Sequence, residues 1–446
     1  MACRSFLFLQ GMATPFFKSL GQAIRDRGHT VYRVRFCGGD RLFSIGQPGW
    51  GFNGTPEQLP QWLQARHIEH SFTDAVLFGD TRPLHAQAIP LLRNLGVRIH
   101  VFEEGYLRPN WITLEQDGVN GYSRLLSRPA EFWTDPLRPI ADNVHIPGRK
   151  TLGIRGLYDI SYHLASTLMQ PWHRAYRTHR PYSALREYLG WARRLPHIKL
   201  RLEWQANRRI ERLVADGSPY YLFPLQLDSD AQIRVHSPFS GMTEAIETIL
   251  HSFAEHAPPE SLLVIKNHPL DTGILKHHQT VHRLARQLDI SQRVRYLEAG
   301  NLPRLLMHAR GTVLVNSTTG TSALFHGSPT IALGTALFDL PGLTFQHGLD
   351  RFWTEGRKPD KTLFLRFRHT LIRHAQIAGD FYTRAGIRQA VQGSLDAMQL
   401  EAMPVAPATS PAVQVLPDNL MEPLAPLPAY GGKLPAAASG YLYKKT

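Results

Sequence analysis

The stretch Tyr221-Leu-Phe-Pro-Leu-Gln-Leu-Asp-Ser-Asp-Ala-Gln-Ile-Arg-Val-His-Ser-Pro-Phe239 opens the second half of the chain and decides how that half folds. Its apolar start is typical of a buried strand that ends at Pro224. Carboxylates, amides, an arginine and a histidine follow directly, at Gln226, Asp228, Asp230, Gln232, Arg234 and His236. Polar side chains crowded at the end of a buried strand indicate a functional site.

Strands and helices alternate on both sides of this stretch. In the second half, strands are predicted at 220–224, 262–266, 294–297, 311–315 and 330–333, and helices at 241–255, 273–288, 302–309 and from residue 321. In the first half, strands are predicted at 5–10, 29–36, 75–79 and 97–102, and helices at 16–27 and 83–95. The sequence therefore predicts an α/β protein with two doubly wound, Rossmann-type domains that face a cleft.

A basic and aromatic segment separates the two halves. We expect a Rossmann-like domain at 1–170, a helical connection at 171–215 and a second Rossmann-like domain at 216–400. The interleaved cations and aromatics from Trp172 to Arg212 fit either an anionic bilayer surface or an ordinary exposed face whose aromatics pack inward. The proline- and alanine-rich tail at 401–446 is expected to be disordered and to hold no catalytic group.

Composition narrows the class of protein. The chain has 446 residues, and its 50 Lys and Arg against 36 Asp and Glu give a formal charge of +14, which predicts an anionic partner: nucleic acid, a membrane face or a phosphorylated substrate. Two cysteines, Cys3 and Cys37, exclude a disulfide framework and a cysteine metal site, which suits the cytoplasm. No apolar run reaches the roughly 20 residues of a spanning helix. Residues 4–10 are predicted to be a strand rather than a signal peptide.

Paired acids follow the predicted strand at 97–102. Glu103 and Glu104 are succeeded by Gly105 and Arg108, a grouping that suits general acid/base chemistry on a bound ligand. The alternative is a solvated loop that carries acids by chance. Two further loops follow strands in the first half, Gln10–Pro15 and Cys37–Asp40, and each fits either a ligand site or a plain turn.

Two loops of the second half have the chemistry of a phosphate site. Lys266-Asn-His268-Pro269 places an ammonium and an imidazole at a strand end, where they can neutralise and hydrogen-bond a phosphate. The hydroxyl-rich loop from Asn316 to Ala323 offers donors at a helix start, although an ordinary N-cap gives the same pattern. Together the two loops indicate a nucleotide phosphate.

Taken as a combination, these motifs resemble the KpsS/LipB family of capsule polysaccharide proteins. The resemblance covers roughly residues 5 to 355 and is carried by Phe8-Leu-Gln-Gly11, Arg35-Phe-Cys-Gly-Gly-Asp40, Phe102-Glu-Glu-Gly-Tyr-Leu-Arg-Pro109, Pro224–Phe239, Lys266–Pro269 and Asn316–Ser322. It implies the GT-B glycosyltransferase fold and a retaining β-Kdo transferase that uses CMP-Kdo. The implied acceptor is an anionic, phosphatidylglycerol-type lipid at the cytoplasmic face of the inner membrane.

The resemblance also implies roles for individual residues. The nucleotide-binding features fall on Lys266, His268, Pro269, Ser317, Thr318 and Thr319. The best match to the nucleophile is Asp230, with Asp228 as the alternative, and either Glu103 or Glu104 would deprotonate the acceptor. The predicted substrate-binding residues are Gln10, Gly11, Asp40, Arg108, Gln226, Gln232, Arg234 and His236. Among these, the two arginines suit the planar Kdo carboxylate on chemical grounds alone.

Several partners and alternatives accompany this hypothesis. A protein of this kind would be peripheral on the inner membrane, beside a second Kdo transferase and the capsule export machinery. No metal is expected, because a CMP-sugar carries one phosphate and no cluster of carboxylates suited to magnesium is present, and no cofactor beyond the donor substrate is expected. Nucleic acid is not expected, since no reader module is recognisable. The alternatives are a non-catalytic accessory of capsule export and a transferase that uses another CMP-sugar, such as a sialic acid.

Overall fold

Two β-sheets, one begun by each half of the chain, form the frame of the protein. The computed structural model describes residues 3–134, 151–178, 180, 182–198, 202–228 and 230–400, all within one compact unit. The strands are β1 Ser5–Phe8, β2 Thr30–Arg35, β3 Gly49–Gly51, β4 Asp74–Phe78, β5 Arg98–Glu104, β6 Trp111–Gln116, β7 Tyr220–Pro224, β8 Leu262–Lys266, β9 Val294–Leu297, β10 Gly311–Leu314, β11 Thr330–Ala332 and β12 Gln376–Ala378.

Helices cover both faces of these sheets. They are α1 Phe16–Arg25, α2 Gly38–Leu42, α3 Leu59–His70, α4 Pro83–Asn94, α5 Ala130–Thr134, α6 Thr151–Leu168, α7 Ala184–His197, α8 Glu203–Ala215, α9 Ala231–His236, α10 Met242–His256, α11 His277–Gln287, α12 Leu302–His308, α13 Thr319–Phe325, α14 Leu349–Glu355, α15 Lys361–Ala375 and α16 Arg384–Ala397. The predicted α/β class, with two doubly wound sheets, is confirmed.

The second sheet has the order β11-β10-β7-β8-β9, and its paired strands are parallel. Strand β7 lies at its centre and is buried on both faces, which explains its unbroken apolar sequence. Tyr221 and Phe223 face a core that includes α10, whereas Leu222 faces the opposite core together with Ile210 of α8. The opening stretch is therefore the centre of the second domain.

The first sheet has seven strands, in the order β12-β6-β5-β4-β1-β2-β3. Strands β1, β2, β4 and β5 were predicted, whereas β3, β6 and β12 were not. Strand β6 runs antiparallel to β5 and buries polar side chains, Thr113 and Glu115, so it lacks the alternation of an ordinary strand. Strands β3 and β12 have three residues each, too few for a periodic pattern.

The end of the described chain returns to the first sheet. Strand β12 pairs antiparallel with β6, and Phe381, Ile387 and Leu395 pack in one core with Phe16 of α1. The last strand and helix of the predicted second domain, 216–400, thus belong to the first sheet, where β12 pairs with β6 and α16 packs on α1. The predicted disordered tail at 401–446 lies outside the described residues.

Helix α6 was not predicted and covers one side of the first domain. It packs across α2, where an added Cβ at Gly39 would stand 2.5 Å from the ring of Tyr162. In the basic and aromatic connection at 171–215, two residues considered for a membrane surface contact the rest of the protein. The indole of Trp191 donates to the Leu270 carbonyl at 3.1 Å, and Arg194 pairs with Asp271. Within the described part of the chain, no helix has the length and apolar character needed to cross a membrane.

Candidate active site

The carboxyl ends of β5, β7, β8 and β10 meet at one pocket between the two sheets. We call it the central pocket. It has a volume of about 240 Å³ and is lined by Thr81, Glu103, Glu104, Tyr106, Arg108, Asn120, Gln226, Asp230, Gln232, His268, Asn316, Ser317, Thr318, Thr321, Thr335, Ala336, Leu337, Phe338, Phe367 and Leu371. In open α/β sheets this edge is where ligands bind.

The central pocket brings together about half of the predicted site residues. Those that line it are Glu103, Glu104, Arg108, Gln226, Asp230, Gln232, His268, Ser317 and Thr318. Those that do not are Gln10, Gly11, Asp40, Arg234, His236, Lys266, Pro269 and Thr319. Residues far apart in sequence thus meet because both sheets present their carboxyl edges to one space.

Asp230 enters the pocket from the start of α9. Its side chain accepts a hydrogen bond from the backbone N–H of Gln232 at 3.0 Å and so caps this short helix. Burial raises the pKa of the Asp230 carboxyl, and the Gln232 hydrogen bond and the positive charge of Arg108 oppose that rise. A carboxylate in this position is weakly solvated, as an attacking group requires.

Asp228 is held elsewhere. Its Oδ1 accepts from the backbone N–H of Met242 at 2.9 Å, at the start of α10, and Oδ2 lies 3.4 Å from the guanidinium of Arg234. Neither Asp228 nor Arg234 lines the central pocket. The sequence left both aspartates as candidates for the nucleophile, and only Asp230 lines the central pocket. The two side chains diverge because Asp230 caps α9, whereas Asp228 accepts from the first N–H of α10.

Glu103 enters the pocket from the end of β5 in the first sheet. Its Oε1 accepts from the backbone N–H of Glu104 at 2.9 Å. Burial raises the pKa of Glu103 to about 7, and the negative charges of Glu104 and Asp230 add to the rise while Arg82 opposes it. A carboxyl with a pKa near neutrality can accept and return a proton at physiological pH.

Glu104 has partners that Glu103 lacks. The phenol of Tyr382 donates to its Oε1, and the guanidinium of Arg155 lies 3.4 Å away and over the Tyr382 ring. Sequence reasoning missed both partners. Arg155 lies in the unpredicted α6, and Tyr382 follows β12, so neither stood next to a recognised motif.

His268 is fixed as a neutral hydrogen-bond donor. Burial and the positive charges of Lys266 and Arg108 lower the pKa of His268 to about 4, so the ring is uncharged at neutral pH. Its Nδ1 accepts from the backbone N–H of Leu270 at 3.1 Å, which leaves the proton on Nε2. The imidazole therefore offers an N–H to an anionic ligand rather than a positive charge.

Lys266 points away from the central pocket. Strand side chains alternate, so Lys266 shares a face with Val264, which packs against Ile210 of α8. The ammonium is buried and donates to the Asn267 carbonyl at 3.3 Å, and burial lowers its pKa. The neighbouring Pro269 does not line the pocket either.

A network of amides holds the loops of the second sheet. The Gln226 amide donates to Asn316 Oδ1 at 3.1 Å, and the Asn316 amide donates to the carbonyls of Gln232 and His236 at 2.7 and 3.0 Å. This network ties the loop after β10 to the segment that carries Asp230. Gln226 is thus a structural partner as well as a lining residue.

Two of the three predicted residues of the hydroxyl-rich loop line the central pocket. Ser317 and Thr318 line the pocket, whereas Thr319 begins α13 and donates its backbone N–H to Ser317 Oγ at 3.1 Å. Thr321 donates to the carbonyl of Tyr106 at 3.1 Å, a contact that joins the second sheet to the first.

Two of the remaining predicted residues, Asp40 and Gln10, lie behind the site, whereas Gly11 lines a neighbouring pocket. Asp40 is buried and accepts from the Tyr162 hydroxyl at 2.8 Å, the Phe36 N–H at 3.0 Å and the Gln10 amide at 3.2 Å. Helix α6 covers this network, so Asp40 and Gln10 have structural roles. The ring of His236 packs edge-on against Tyr122.

Two further pockets adjoin the central one and share Glu103 with it. The first, the arginine pocket, has about 240 Å³ and is lined by Gly11, Met12, Ala13, Thr14, Phe78, Arg82, Glu103, Glu104, Arg155, Asp159, Tyr162, His163, Tyr176, Thr178, Arg180 and Tyr382. The second, the apolar pocket, has about 480 Å³ and includes Glu103, Asp230, Trp191, Leu227, Leu270, Ile274 and Leu275. Glu103 thus stands where all three meet.

The described residues contain no group of three or more His, Cys, Asp or Glu side chains arranged to hold a metal ion. The polar side chains that line the central pocket are carboxylates, hydroxyls, amides, an imidazole and an arginine.

Comparison with known proteins places this site in context. Residues 73–382 match the family model described as capsule polysaccharide biosynthesis protein, and this range includes every residue that lines the central pocket. The chain is 35% identical to the capsule polysaccharide export protein KpsS of Escherichia coli, over 85% of this chain and 97% of that protein. It is 32% identical to the capsule polysaccharide modification protein LipB of Neisseria meningitidis serogroup B, over 86% and 93%.

Solved structures with a similar arrangement have low sequence identity. The β-Kdo 2,7-transferase KpsC of Thermosulfurimonas dismutans matches with a TM-score of 0.40 and 14% identity, over 89% of this chain and 100% of that chain. The MnaA–UDP structure from S. aureus matches with a TM-score of 0.33 and 10% identity, over 90% and 98%.

Proposed function

The chain belongs to the capsule polysaccharide biosynthesis protein family, and from this premise we propose that it is a retaining glycosyltransferase. The proposed reaction moves β-Kdo from CMP-Kdo to a hydroxyl of a phosphatidylglycerol-type lipid and so begins the linker of a capsular polysaccharide. The glycosyltransferase class is supported by the two-sheet fold and by the family. The identities of the donor, CMP-Kdo, and of the lipid acceptor are also proposed, and they are supported by the motif resemblance.

One observation carries the proposal: Asp230 from the second half and Glu103 from the first border the same pocket. They are close enough for the charge of Asp230 to raise the pKa of Glu103. A retaining transfer by double displacement needs one carboxylate that attacks and a second group that moves a proton. Because the two carboxyls come from opposite sheets, a donor bound between the sheets would have one on each side.

In the first step, the Asp230 carboxylate attacks the anomeric carbon of Kdo. The bond between that carbon and the phosphate oxygen breaks, and CMP leaves with the electron pair. The Nε2–H of His268 and the hydroxyls of Ser317 and Thr318 are the groups that would donate to the leaving phosphate. Arg108 borders the same space and suits the Kdo carboxylate.

In the second step, a hydroxyl oxygen of the lipid attacks the anomeric carbon and displaces Asp230. Glu103 takes the hydroxyl proton, because its pKa of about 7 leaves much of it unprotonated at neutral pH and it borders the pockets through which an acceptor can arrive. Glu104 is the less suited base, since Tyr382 and Arg155 already engage its carboxylate. Two inversions at one carbon give overall retention.

The location and partners of the reaction are part of the same proposal. A phosphatidylglycerol acceptor would place the protein at the cytoplasmic face of the inner membrane, as a peripheral protein. Its product, a lipid with one Kdo, is a substrate for a second Kdo transferase, and the finished chain would pass to the export machinery.

The experiment that tests the proposal offers the purified protein two donors, CMP-Kdo and a CMP-sialic acid, with a phosphatidylglycerol analogue. Release of CMP and formation of a glycolipid with CMP-Kdo alone is the expected result. If glycolipid formed only with the CMP-sialic acid, the transferred sugar would be a sialic acid and not Kdo. No turnover with either donor, by a protein whose folding is confirmed by circular dichroism, would favour a non-catalytic role in export.

A further inference from the structure

Helix α6 carries a row of large apolar side chains on its outer surface. Ile154, Leu157, Ile160, Leu164 and Leu168 are between 38% and 67% exposed. They are spaced three or four residues apart, so at about 100° per residue they share one arc of the helix, roughly 120° wide. No charged residue of α6 falls within this arc. Single exposed apolar residues are ordinary, but a continuous row marks an interaction surface.

The row continues beyond the helix. Trp172, just after α6, is 65% exposed. Helix α2 packs beside α6, and Leu42 at its end and Ile45 just after it are 39% and 60% exposed. We call the five α6 residues together with Trp172 the α6 ridge.

Exposed arginines border the ridge. Arg41 lies in α2, and Arg174 and Arg177 lie two and five residues after Trp172. In the structure as described, the hydrogen bonds of Arg174 and Arg177 go to backbone carbonyls, at Pro171, Arg174 and Tyr176, and none of the three arginines forms an ion pair with a described residue. An apolar strip edged with unneutralised cations is the pattern of a surface that lies on an anionic bilayer.

The opposite face of α6 belongs to the candidate active site. Arg155 and Asp159 line both the arginine pocket and the apolar pocket. Arg155 also pairs with Glu104, one residue from Glu103. A single helix thus separates the outer apolar surface from the two pockets through which an acceptor would approach.

We propose that the α6 ridge docks on the surface of an anionic lipid bilayer, with its apolar side chains below the headgroups and Arg41, Arg174 and Arg177 against lipid phosphates. Docking in this way would hold both outer pockets within about one helix diameter, roughly 10 Å, of the headgroup layer. This docking proposal is based on the geometry of the ridge and does not depend on the identity of the sugar donor. It deepens the proposed function, because docking would bring the protein to a membrane that contains the lipid acceptor. A second copy of the chain fits less well, because pairing two ridges would bring their positive borders together.

The test measures sedimentation of the full-length protein with vesicles of phosphatidylcholine alone and of phosphatidylcholine mixed with phosphatidylglycerol. The wild type should bind the mixed vesicles more tightly, and added salt should weaken the difference. The double variant Leu157→Gln/Leu164→Gln should lower the partition coefficient by about tenfold or more, since two apolar side chains no longer enter the bilayer. Ile68→Gln is the matched control: Ile68 is 77% exposed on α3, and this variant should bind as the wild type does.

A second pair of substitutions tests the charged border. Arg174→Gln/Arg177→Gln should lower binding to the mixed vesicles and flatten its salt dependence, while leaving binding to neutral vesicles unchanged. Equal vesicle binding by the wild type and the Leu157/Leu164 variant would overturn the proposal. A wild-type dimer that this variant converts to a monomer, seen by analytical ultracentrifugation, would also overturn it and assign the ridge to self-association.

The outcomes separate this proposal from the catalytic one. Transfer to a short-chain, water-soluble phosphatidylglycerol should be equal in the wild type and the Leu157/Leu164 variant, whereas transfer to vesicles should fall in the variant. If the wild type bound vesicles as expected but turned over no CMP-Kdo, only the proposed function would fail.

Discussion

Neighbouring acids in this protein have different surroundings. Glu103 borders three pockets and has a pKa raised to about 7, while Glu104 is held by Tyr382 and Arg155. Asp228 and Asp230 cap different helices, and only Asp230 reaches the central pocket. Carboxyls one or two residues apart in the chain therefore differ in their partners and in the pockets that they line.

The roles proposed for the aspartates can be separated by isosteric substitutions. Asp230→Asn removes the attacking carboxylate but keeps an oxygen that can cap α9, so kcat should fall by about a thousandfold or more with little change in stability. Asp228→Asn is the matched control and should keep most of the activity, with a loss of less than about 1 kcal/mol in the free energy of unfolding, because asparagine keeps an oxygen for the Met242 N–H and loses only the partly exposed ion pair with Arg234. Near-normal turnover by Asp230→Asn would move the nucleophile to another residue.

The raised pKa of Glu103 predicts a pH-dependent stability. Its pKa rises from an ordinary 4.5 to about 7 on folding, so the folded state holds the proton more tightly than the unfolded state. The contribution of Glu103 to stability is full below about pH 4.5 and is lost as pH rises through 7. Glu103→Gln should therefore be more stable than wild type at pH 8, by about 1–3 kcal/mol. That advantage should vanish near pH 4.5.

Urea unfolding of both proteins across this pH range measures the difference directly. Glu115, whose pKa is also raised to about 7, titrates in both proteins and cancels in the comparison. A constant difference between the variant and the wild type at all pH values would show that Glu103 does not have this pKa.

At this scale the sequence identified residue types better than residue roles. Asp230, Glu103 and His268 were found because they follow predicted strands at the ligand-binding edge of the sheets. Lys266 was assigned to the same site, but strand alternation turns it to the opposite face. Arg155 and Tyr382 were missed, since their nearness to Glu104 arises only in the folded chain.

Helix α6 has one face that packs on the protein and one face that is exposed and apolar. Its inner face closes over α2 and Asp40, and its outer face carries the ridge. The close approach of α6 to α2 depends on glycine, because an added Cβ at Gly39 would meet the Tyr162 ring at 2.5 Å. Tyr162 is buried and hydrogen-bonded to Asp40, so it has little room to move.

Gly39→Ala tests this contact. On helix propensity alone, alanine in α2 would stabilise the protein. The clash with Tyr162 should reverse the sign and lower the free energy of unfolding by about 1–3 kcal/mol, measured by urea denaturation. Gly51→Ala, where an added Cβ has nothing within 4 Å, is the control and should change the stability little. A stabilised Gly39→Ala protein would show that α6 does not pack as closely as described.

The elements of the second sheet were the most predictable, because its strands are parallel and bounded by clear turns, and its central strand β7 is buried on both faces. The predicted strand 220–224 agrees with β7 at both ends. Helix α6 escaped prediction although its arc of apolar residues is regular. That arc faces outward, and its inner face is built from tyrosines and polar groups rather than from an apolar stripe.

For the whole molecule, the first domain is completed by the end of the described chain. Helix α16 packs on α1, and β12 forms the edge of the first sheet beside β6. A linear division of the sequence into two domains could not reveal this return, because contacts between residues so far apart in the chain, such as Gln376 and Thr113, leave no local pattern. The pairing of the two sheets around one pocket follows from the alternation itself and was predictable.

Truncations test the return of the chain. Ending the protein after Ala375 removes β12 and α16 and exposes the apolar side chains of Phe16 and Leu20, so cooperative unfolding and solubility should be lost. Ending it after Leu400 should leave the midpoint of urea unfolding unchanged. If the shorter protein remained soluble with an unchanged midpoint, α16 would not be part of the first domain's core.

We propose that this molecule moves Kdo from CMP-Kdo to a lipid through Asp230. The most direct measurement is mass spectrometry of a phosphatidylglycerol analogue after incubation with CMP-Kdo and either the wild type or Asp230→Asn. We expect a lipid heavier by one Kdo residue, in retained configuration by nuclear magnetic resonance, with the wild type alone. An unmodified lipid with the wild type, or equal product from both proteins, would contradict it.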